Sequence, residues 1–264
     1  MLVAITRDIS PALADCELTH LTRRPIDVER ARTQHRDYER LLAEAGCRVE
    51  RLTAGADMPD SVFIEDAAVV LDEIAIITRP GAASRRPETA AVAARLRGYR
   101  DVRSIEPPAT MDGGDVLIVG KRVFVGCSRR TNRAAIDQMR GLVAPYGYEV
   151  ESMDVRGVLH LKSAVTAVGD NLLLINTSLL PVGSFADFDQ VAVDAAEPLG
   201  ANALWIGGHV IYPSSFPRTR ERLERRGLDV RAVDAGELQK AEGAVTCCSL
   251  VFAADSDAGG RALK

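Results

Sequence analysis

The chain has 264 residues, of which 47% are hydrophobic and 27% are charged, the balance of an ordinary globular protein. A net charge of −4 and the lack of any basic block argue against nucleic acid and anionic membrane as partners. No apolar run approaches the roughly 18 residues that span a bilayer, and the N-terminus does not resemble a signal peptide, so we expect a cytoplasmic protein. Five scattered cysteines do not suggest a disulfide framework.

One local pattern recurs along the chain: an apolar strand ends in a polar cluster with arginine and threonine, and a helix-like stretch follows. It begins at Ile74, Arg122 and His209, and weaker copies of the strand begin at Leu2 and Asn171. We interpret these five copies, about 50 residues apart, as strand–strand–helix units packed around a common axis, as in a propeller. A doubly wound α/β sheet would show a similar alternation, so periodicity alone leaves both architectures open.

The segment of residues 16–46 predicts a loop that becomes an amphipathic helix from about Val28. No low-complexity linker interrupts the chain anywhere else. We therefore expect a single domain over residues 1–264.

Several acidic and basic residues between positions 60 and 130 are candidates for binding a charged ligand. PDSVFIEDAAVV predicts a strand that Asp60 opens and whose interior holds Glu65 and Asp66. Either acid alone could mark a strand end at the surface, but both together favour a cation-binding pocket, because buried acids are costly without a cation or donors. Arg85 and Arg130 each follow a strand end, and their guanidinium groups suit a carboxylate ligand, although many such arginines are merely solvated.

The next two candidates are a carboxylate and a histidine. TMDGGDVLIVG carries Asp112 and Asp115 around two glycines that permit a tight turn before a strand. His160 lies in VRGVLHLKSAV, at the middle or end of a predicted apolar strand. A plain β-turn and a satisfied core histidine are the simpler explanations, unless these residues have catalytic partners.

The stretch EGAVTCCSLVF predicts a strand with two adjacent cysteines, of which only one can face a given cavity. Cys248 shares its face with Leu250 and Phe252, a core-like set, so alternation mildly favours Cys247. A cysteine, a histidine and a carboxylate are the usual parts of a thiol nucleophile site. With acids for a cation and arginines for a carboxylate, they suggest a zwitterion such as arginine or a derivative. Zinc-type Cys or His pairs are missing from the sequence, so we predict no structural metal site.

Seven motifs resemble the dimethylarginine dimethylaminohydrolase family of the guanidino-group-modifying superfamily. They occur in the family's order, between residues 18 and 252, as VFIED, ITRPGAASRR, MDGGDVL, FVGCSRRTN, LHLKS, GANALW and GAVTCCS. The resemblance implies an α/β pentein fold, a five-bladed propeller of ββαβ modules with pseudo-fivefold symmetry. Such a fold would account for the repeat.

The resemblance also implies roles for individual residues. Cys247 would be the nucleophile, His160 the general acid and base, and Asp112 the carboxylate that supports the imidazole. No metal or organic cofactor is expected. The implied substrate-binding residues are Leu18 in a lid loop, Asp60, Glu65 and Asp66 near the guanidinium end, Arg85 and Arg130 at the amino-acid carboxylate, and Ala241 beside the α-amino group.

The implied reaction is hydrolysis of asymmetric dimethylarginine or monomethylarginine to citrulline and dimethylamine or methylamine, through a covalent thiouronium on Cys247. We hypothesise that the bound guanidinium completes activation of a thiol that is protonated in the free enzyme. Arginine deiminase is the alternative, although those enzymes are longer and typically carry an aspartate where this chain has Lys162. A non-catalytic pentein binding factor is a third alternative, but it would have no reason to hold all three catalytic residue types. A homodimer is left open.

Overall fold

The computed structural model describes residues 1–53 and 55–254. None of the helices in these ranges has the length and hydropathy that crossing a bilayer requires. The strands are β1 (Leu2–Arg7), β2 (Cys47–Leu52), β3 (Ala68–Val70), β4 (Ile74–Ile77), β5 (Asp101–Ser104), β6 (Val116–Val119), β7 (Arg122–Cys127), β8 (Glu149–Asp154), β9 (Val165–Ala167), β10 (Leu172–Ile175), β11 (Asp189–Ala192), β12 (Leu204–Ile206), β13 (His209–Pro213), β14 (Asp229–Val233) and β15 (Leu250–Ala253). The α-helices are α1 (Val28–Glu44), α2 (Thr89–Leu96), α3 (Arg133–Val143), α4 (Pro217–Arg225) and α5 (Gly236–Gln239).

These strands form five sheets of three strands each, and every sheet has the same internal order. In the sheet of β6, β7 and β8, the first pair is antiparallel, and α3 crosses over to place β8 parallel to β7. The sheets of β3–β5 and β12–β14 repeat this ββαβ order with α2 and α4. A parallel neighbour needs such a crossover because both strands start at the same end of the sheet. The five ββαβ-type modules confirm the predicted pentein architecture.

Two modules differ in how the three strands are connected. In the first, β15 pairs antiparallel with β1, and α1 leads from β1 to the parallel strand β2, so one sheet joins both ends of the described chain. In the fourth, a connection with the 3-10 helix Thr177–Leu179 takes the place of an α-helix between β10 and β11. The periodic sequence pattern was weakest in these same two modules, at Leu2 and Asn171.

Helix α3 illustrates how the outer helices attach to the sheets. It begins after Asn132, whose side chain accepts a hydrogen bond from the backbone N–H of Ala135 and so satisfies one of the helix's unpaired donors. Ile136, Met139 and Val143 then recur at helical spacing, and all three are buried against the apolar faces of β6 and β7. Helix α1 begins at residue 28, as the sequence predicted.

The segments that carry the acids, His160 and Cys247 are not strands, which corrects the prediction. Each predicted residue lies in or directly before a 3-10 helix that leads into a strand: Glu65 and Asp66 in Ile64–Ala67, His160 before Leu161–Ser163, and Cys247 in Thr246–Cys248. A fourth 3-10 helix, Gly113–Asp115, follows Asp112. We call these four 3-10 helices the site turns. The turn at Ile64–Ala67 contacts those at Thr246–Cys248 and Gly113–Asp115, and the turn at Gly113–Asp115 also contacts the one at Leu161–Ser163. A 3-10 helix has three residues per turn, so consecutive side chains point about 120° apart.

Candidate active site

His160 and Cys247 line one small cavity, which we call the catalytic cavity, and Asp112 lies behind the imidazole. Asp112 Oδ2 is 3.1 Å from His160 Nε2, while its Oδ1 accepts a hydrogen bond from the backbone N–H of Gly81 at 2.9 Å. Asp112 is completely buried, so its carboxylate depends on these partners. The fold therefore brings together a thiol, an imidazole and an orienting carboxylate, the parts that a thiol nucleophile site requires.

The two glycines of the DGGD sequence allow these elements to approach closely. A Cβ on Gly114 would lie 2.6 Å from His160 Nδ1 and 2.9 Å from Asp66 Oδ1. A Cβ on Gly113 would collide with the backbone carbonyl oxygen of Glu65. Only glycine leaves room for the imidazole and the acidic turn at this point.

Asp66 is the carboxylate that links the imidazole to the charged lining of the cavity. Its Oδ1 accepts a hydrogen bond from the backbone N–H of Gly114 at 3.0 Å and lies 3.9 Å from His160 Nδ1. Its Oδ2 accepts a hydrogen bond from Arg85 Nη1 at 2.5 Å. Burial alone would raise the pKa of the Asp66 carboxyl, but the positive charges of His160 and Arg85 hold that pKa below its ordinary value. Asp66 therefore carries its negative charge at neutral pH.

The protonation states of the imidazole and the thiol follow from these neighbours. Burial alone would lower the pKa of His160, but the charge of Asp66 and the hydrogen bond with Asp112 contribute to raising it to about 9. The pKa of the Cys247 thiol is raised well above its ordinary value, first by burial and then by the charges of Glu65 and Asp66. At neutral pH the free site therefore combines an imidazolium with an uncharged thiol.

Asp115, the second acid of DGGD, holds the backbone directly after His160. Its Oδ1 accepts a hydrogen bond from the backbone N–H of Leu161 at 2.9 Å. Its Oδ2 accepts hydrogen bonds from the hydroxyls of Ser128 and Thr131 at 2.6 and 2.7 Å. Burial raises the pKa of Asp115 to about 6. This buried carboxylate fixes the module of β6–β8 to the loop that presents the imidazole.

Arg130 lies at another part of the cavity lining, with its side chain largely buried. Its Nη2 donates a hydrogen bond to Thr19 Oγ1 at 3.3 Å and lies 3.6 Å from Glu17 Oε2, while its Nη1 is 3.9 Å from Asp112 Oδ2. These are long contacts for a guanidinium, which bonds carboxylates at 2.7–2.9 Å when it is fully engaged. Its geometry can therefore accommodate a ligand carboxylate without breaking a short ion pair.

Arg85 lines the same cavity but is bonded differently from the prediction. Its Nη1 donates to Asp66, and its Nε and Nη2 donate to the carboxylate of Glu88 at 3.1 and 2.9 Å. Nη2 also donates to the backbone carbonyl oxygens of Asp60 and Phe63 at 3.2 and 3.0 Å. A substrate carboxylate would have to compete with these bonds to reach Arg85.

Most of the predicted site residues meet at this cavity. Those that line it are Asp60, Asp66, Arg85, Arg130, His160, Ala241 and Cys247. Asp112 supports the imidazole from behind. Two predictions differ from the structure: Leu18 packs against the hydrophobic core while its neighbour Glu17 lines the cavity, and Glu65 faces away from it.

The correction at Glu65 has a clear physical cause. Its Oε1 accepts a hydrogen bond from Lys162 Nζ at 2.6 Å, and its Oε2 accepts one from Thr246 Oγ1 at 2.9 Å. All three residues line a second cavity, which we call the rear cavity and which shares no lining residue with the first. Glu65 therefore neutralises a lysine of the protein instead of facing the position of a bound cation.

The predicted lid loop is held by an acid that the sequence did not single out. The carboxylate of Glu242 accepts hydrogen bonds from the successive backbone N–H groups of Thr19, His20 and Leu21. Glu242 has a φ of 59°, a left-handed conformation that is uncommon for a residue with a side chain. It lines the catalytic cavity beside Ala241. These contacts connect the loop to the segment that precedes the cysteine turn.

Among the described residues, Asp66, Asp112 and His160 form the group whose potential metal-ligand atoms all lie within 4.8 Å of one another. The guanidinium of Arg85 contacts one of these carboxylates, and that of Arg130 approaches the other. The negative charge of both acids is thus already balanced by cationic groups of the protein.

The comparisons with known proteins show the family to which this chain belongs. The model of the family described as N,N dimethylarginine dimethylhydrolase, eukaryotic, matches residues 19–184. A Streptomyces coelicolor protein named N(G),N(G)-dimethylarginine dimethylaminohydrolase is 41% identical over 94% of this chain and 95% of its own length. The chain belongs to the dimethylarginine dimethylaminohydrolase family. It is therefore assigned to the hydrolases that act on carbon–nitrogen bonds of amidino groups.

Two further matches are to Pseudomonas aeruginosa. A protein of that name is 36% identical over 86% of this chain and 90% of its own length. A crystal structure of the Pseudomonas aeruginosa enzyme, a cysteine-to-serine mutant complexed with citrulline, has a TM-score of 0.90 at 35% identity. That match covers 94% of this chain and 98% of the other. The two structures therefore correspond over most of both chains.

The sequence did not reveal the roles of three supporting acids, Glu88, Asp115 and Glu242. Glu88 follows Arg85 by three residues within one 3-10 helix, so the spacing of SRRPE could have indicated the ion pair. Asp115 was visible in DGGD, but nothing in that motif says that it bonds a loop nearly fifty residues away. Glu242 gave no signal at all, because its partners are backbone groups that lie 221 to 223 residues earlier.

Proposed function

We propose that this chain hydrolyses Nω-methylated arginines to citrulline and methylamine or dimethylamine. The observation that carries the proposal is one cavity that joins the Cys247–His160 pair to the carboxylate of Asp66 and the guanidinium of Arg130. The acid suits a guanidinium, and Arg130 suits the carboxylate of an amino acid. Asp60 adds a second acid to the lining, and Ala241 adds a backbone segment for the α-amino group.

The charge state of the free site supports activation by the substrate. Burial and the nearby acids raise the pKa of the Cys247 thiol, so the free enzyme holds it uncharged. A guanidinium bound beside Asp66 adds a positive charge, which favours the thiolate. Binding of the substrate thus supplies the charge that the free cavity lacks for forming the nucleophile.

The reaction then proceeds through a covalent intermediate. The Cys247 thiolate attacks the central guanidinium carbon and forms a carbon–sulfur bond. The carbon–nitrogen bond to the methylated amine breaks, and the amine leaves with a proton from the His160 imidazolium. The neutral imidazole then takes a proton from water, whose oxygen adds to the same carbon. The carbon–sulfur bond then breaks, the hydroxyl proton of the adduct is released to solvent, and citrulline leaves with the thiolate regenerated.

The raised pKa of His160 suits this sequence of proton transfers. At about 9, it keeps the imidazole protonated at neutral pH, ready to donate to the leaving amine. After that donation, the same high pKa makes the neutral imidazole a good base towards water. Asp112 holds the ring during both steps through its 3.1 Å contact with Nε2.

Methylated arginine is favoured over arginine by the position of Lys162. Arginine deiminases typically carry an aspartate there, as noted from the resemblance, to bind the second unsubstituted nitrogen. In this chain the lysine is bonded to Glu65 and lines the rear cavity. Asp66 and Asp60 are therefore the only carboxylates of the predicted guanidinium-end set that line the catalytic cavity.

A citrulline assay with asymmetric dimethylarginine, monomethylarginine, arginine and agmatine tests this proposal. We expect citrulline from the two methylated arginines, no carbamoylputrescine from agmatine, and loss of the citrulline signal in Cys247→Ser. The matched control is Cys248→Ser, the neighbouring thiol in the same turn. No citrulline from any substrate would reject the hydrolase, and faster turnover of arginine than of its methylated forms would reject the substrate assignment.

Three further proposals concern the domain, the location and the ligand. We propose that residues 1–264 form one catalytic domain, that it acts in the cytoplasm, and that its ligand is a small molecule. Limited proteolysis would test the single domain, and cell fractionation would test the location. The open question of a homodimer requires analytical ultracentrifugation across a range of protein concentrations.

A further inference from the structure

Four buried or largely buried side chains form a closed ring of hydrogen bonds behind the catalytic cavity. Glu65 accepts from Lys162 Nζ at 2.6 Å and from Thr246 Oγ1 at 2.9 Å. Asn202 donates from Nδ2 to Thr246 Oγ1 at 2.9 Å and to the backbone carbonyl oxygen of Lys162 at 3.2 Å. Its Oδ1 accepts from the backbone N–H of Thr246 at 3.1 Å. We call this set the rear ring.

Each of three ring members is a close sequence neighbour of a residue that lines the catalytic cavity. Glu65 directly precedes Asp66, and Thr246 directly precedes Cys247. Lys162 follows the catalytic histidine by two residues. The ring therefore joins the three separate site turns that present the acid, the thiol and the imidazole.

Asn202 is the member that does not belong to a site turn. It lies in the GANALW sequence directly before β12, in the fifth module, and only 5% of its surface is exposed. Its amide makes three hydrogen bonds, all of them to Thr246 and Lys162. A buried amide with each polar atom satisfied fixes its neighbours closely, because any displacement leaves a buried donor or acceptor unpaired. The motif has no role in the proposed chemistry itself.

We propose that Asn202 and Thr246 are positioning residues, which set the placement of the Cys247 thiol relative to the His160 imidazole through the rear ring. The inference rests on the proposed function and adds two residues to it. Neither residue lines the catalytic cavity. Their effect is on the turnover step, because attack and proton transfer need the thiol and imidazole in one geometry.

The test is a set of ring variants assayed for citrulline with asymmetric dimethylarginine. Thr246→Val keeps the side-chain volume and removes the hydroxyl, whereas Thr246→Ser keeps the hydroxyl. We expect Thr246→Val and Asn202→Ala to lower kcat about 10-fold to 100-fold, the scale of a misplacement near 1 Å. KM should stay within about threefold, because the cavity lining is unchanged, and Thr246→Ser should restore most of the turnover.

The control for simple loss of packing is Asn176→Ala. Asn176 is another buried asparagine, whose amide bonds the backbone carbonyl of Pro198 at 2.7 Å and whose Oδ1 accepts from the backbone N–H of Ser178. It lies outside the ring, so its variant should lose thermal stability without a change in kcat. The proposal is overturned if Asn176→Ala slows turnover as much as Asn202→Ala does.

A second readout does not depend on turnover. The rate at which iodoacetamide alkylates Cys247, followed by mass spectrometry, should rise in Thr246→Val and Asn202→Ala and stay near the wild-type rate in Thr246→Ser. A wild-type enzyme without citrulline production would reject the proposed function, while these alkylation rates would still test the ring. Equal alkylation rates in Thr246→Val and the wild type, or kcat of Thr246→Val equal to that of the wild type, would reject the ring alone.

Discussion

The catalytic cavity and the rear cavity are built from the same site turns, and they handle charge in different ways. At the rear, Glu65 and Lys162 form a close ion pair. At the catalytic cavity, Asp66 instead faces an imidazolium and an arginine. Consecutive side chains of a 3-10 helix diverge, so Glu65 and Asp66 point to different cavities although they are neighbours in sequence.

The two cavities therefore have different roles: the residues of the catalytic cavity carry the chemistry, and those of the rear cavity support them. The pair of Glu65 and Lys162 lines the rear cavity, whereas Asp66 lines the cavity that holds the imidazole and the thiol. At the catalytic cavity, the charge of Asp66 and the hydrogen bond with Asp112 outweigh burial and keep the His160 ring protonated, whereas burial and the nearby acids keep the Cys247 thiol uncharged. Substitutions on the catalytic side should therefore change turnover and the pH dependence that His160 sets. Substitutions at the rear should act on stability, on placement and, through the charge of Glu65, on the pKa of the Cys247 thiol.

The largest effect is expected from the two cysteines of one turn. Cys247 lines the catalytic cavity, whereas Cys248 is 2% exposed, packs in the core and donates a weak hydrogen bond to the backbone of Ala244. Replacing a nucleophile typically removes about 10⁴-fold or more of kcat. We expect Cys247→Ser to reach that loss in the citrulline assay, and Cys248→Ser to keep kcat within about threefold. Comparable losses of kcat in both variants would contradict the proposal that Cys247, and not Cys248, is the nucleophile.

The next effect contrasts the two neighbouring acids. Asp66→Asn removes the charge that faces the guanidinium and should lower kcat/KM about 10³-fold, at the upper end for one electrostatic contact to a reacting group. Glu65→Gln alters a side chain bonded at the rear and should leave KM within about threefold. Steady-state kinetics with asymmetric dimethylarginine measure both. A larger rise of KM in Glu65→Gln than in Asp66→Asn would contradict the assignment of Asp66 to the substrate and of Glu65 to the rear cavity.

The pH profile gives the same contrast in another quantity. The raised pKa of His160 means that its acid form, needed for the leaving amine, is lost as pH rises through about 9. The descending limb of kcat/KM, which reports the free enzyme, should therefore lie near pH 9 in the wild type. Asp66→Asn removes a charge that raises this pKa and should move the limb to lower pH, while Glu65→Gln should not. A limb that is unchanged in Asp66→Asn would contradict the role of that carboxylate.

Stability should follow the same ionisation. Because the folded state raises the pKa of His160 above its ordinary value of 6.5, the protonated imidazole stabilises the folded protein. That contribution is complete below about pH 6.5 and is lost as pH rises towards about 9. Urea unfolding at a series of pH values should show this decrease in the wild type and not in His160→Ala.

At the rear, the expected effect is on the free energy of unfolding. Lys162→Met leaves the Glu65 carboxylate, 8% exposed, without its cation. Removing one partner of a buried pair costs about 3 kcal/mol. Urea unfolding should show that loss, and the double variant Lys162→Met with Glu65→Leu should recover most of it. No recovery in the double variant would mean that the pair is not what the lysine stabilises.

How far the sequence could predict this molecule differs between the fold and the site. The repeat was visible because strands and helices alternate with a constant spacing, and the family motifs then selected the propeller. The 3-10 helices were not visible, since an apolar run does not distinguish one strand from a turn followed by a strand. Strand alternation was therefore predicted at Cys247 and Cys248, and it favoured the cysteine that lines the cavity, although both lie in a 3-10 helix and not in a strand.

The site was predictable where the family motif names a residue, and less so where tertiary pairing decides its role. Glu65 and Asp66 are adjacent, acidic and buried, and no local property tells them apart. Their difference lies in Lys162, which is 97 residues away in sequence, and in Arg85, which is 19 residues away. Long-range partners of this kind are fixed only when the five modules close around the site.

The smallest effect should come from a rear hydrogen bond outside the ring. The hydroxyl of Tyr38 in α1 lies 2.6 Å from Ser249 Oγ, and both side chains are buried. Tyr38→Phe removes one partner of this bond and should cost about 1 kcal/mol of unfolding free energy. Turnover should stay within about twofold, because neither the ring nor the cavity lining changes. If Tyr38→Phe slowed kcat as Thr246→Val is expected to, placement of the thiol would depend on the whole rear packing and not on the ring.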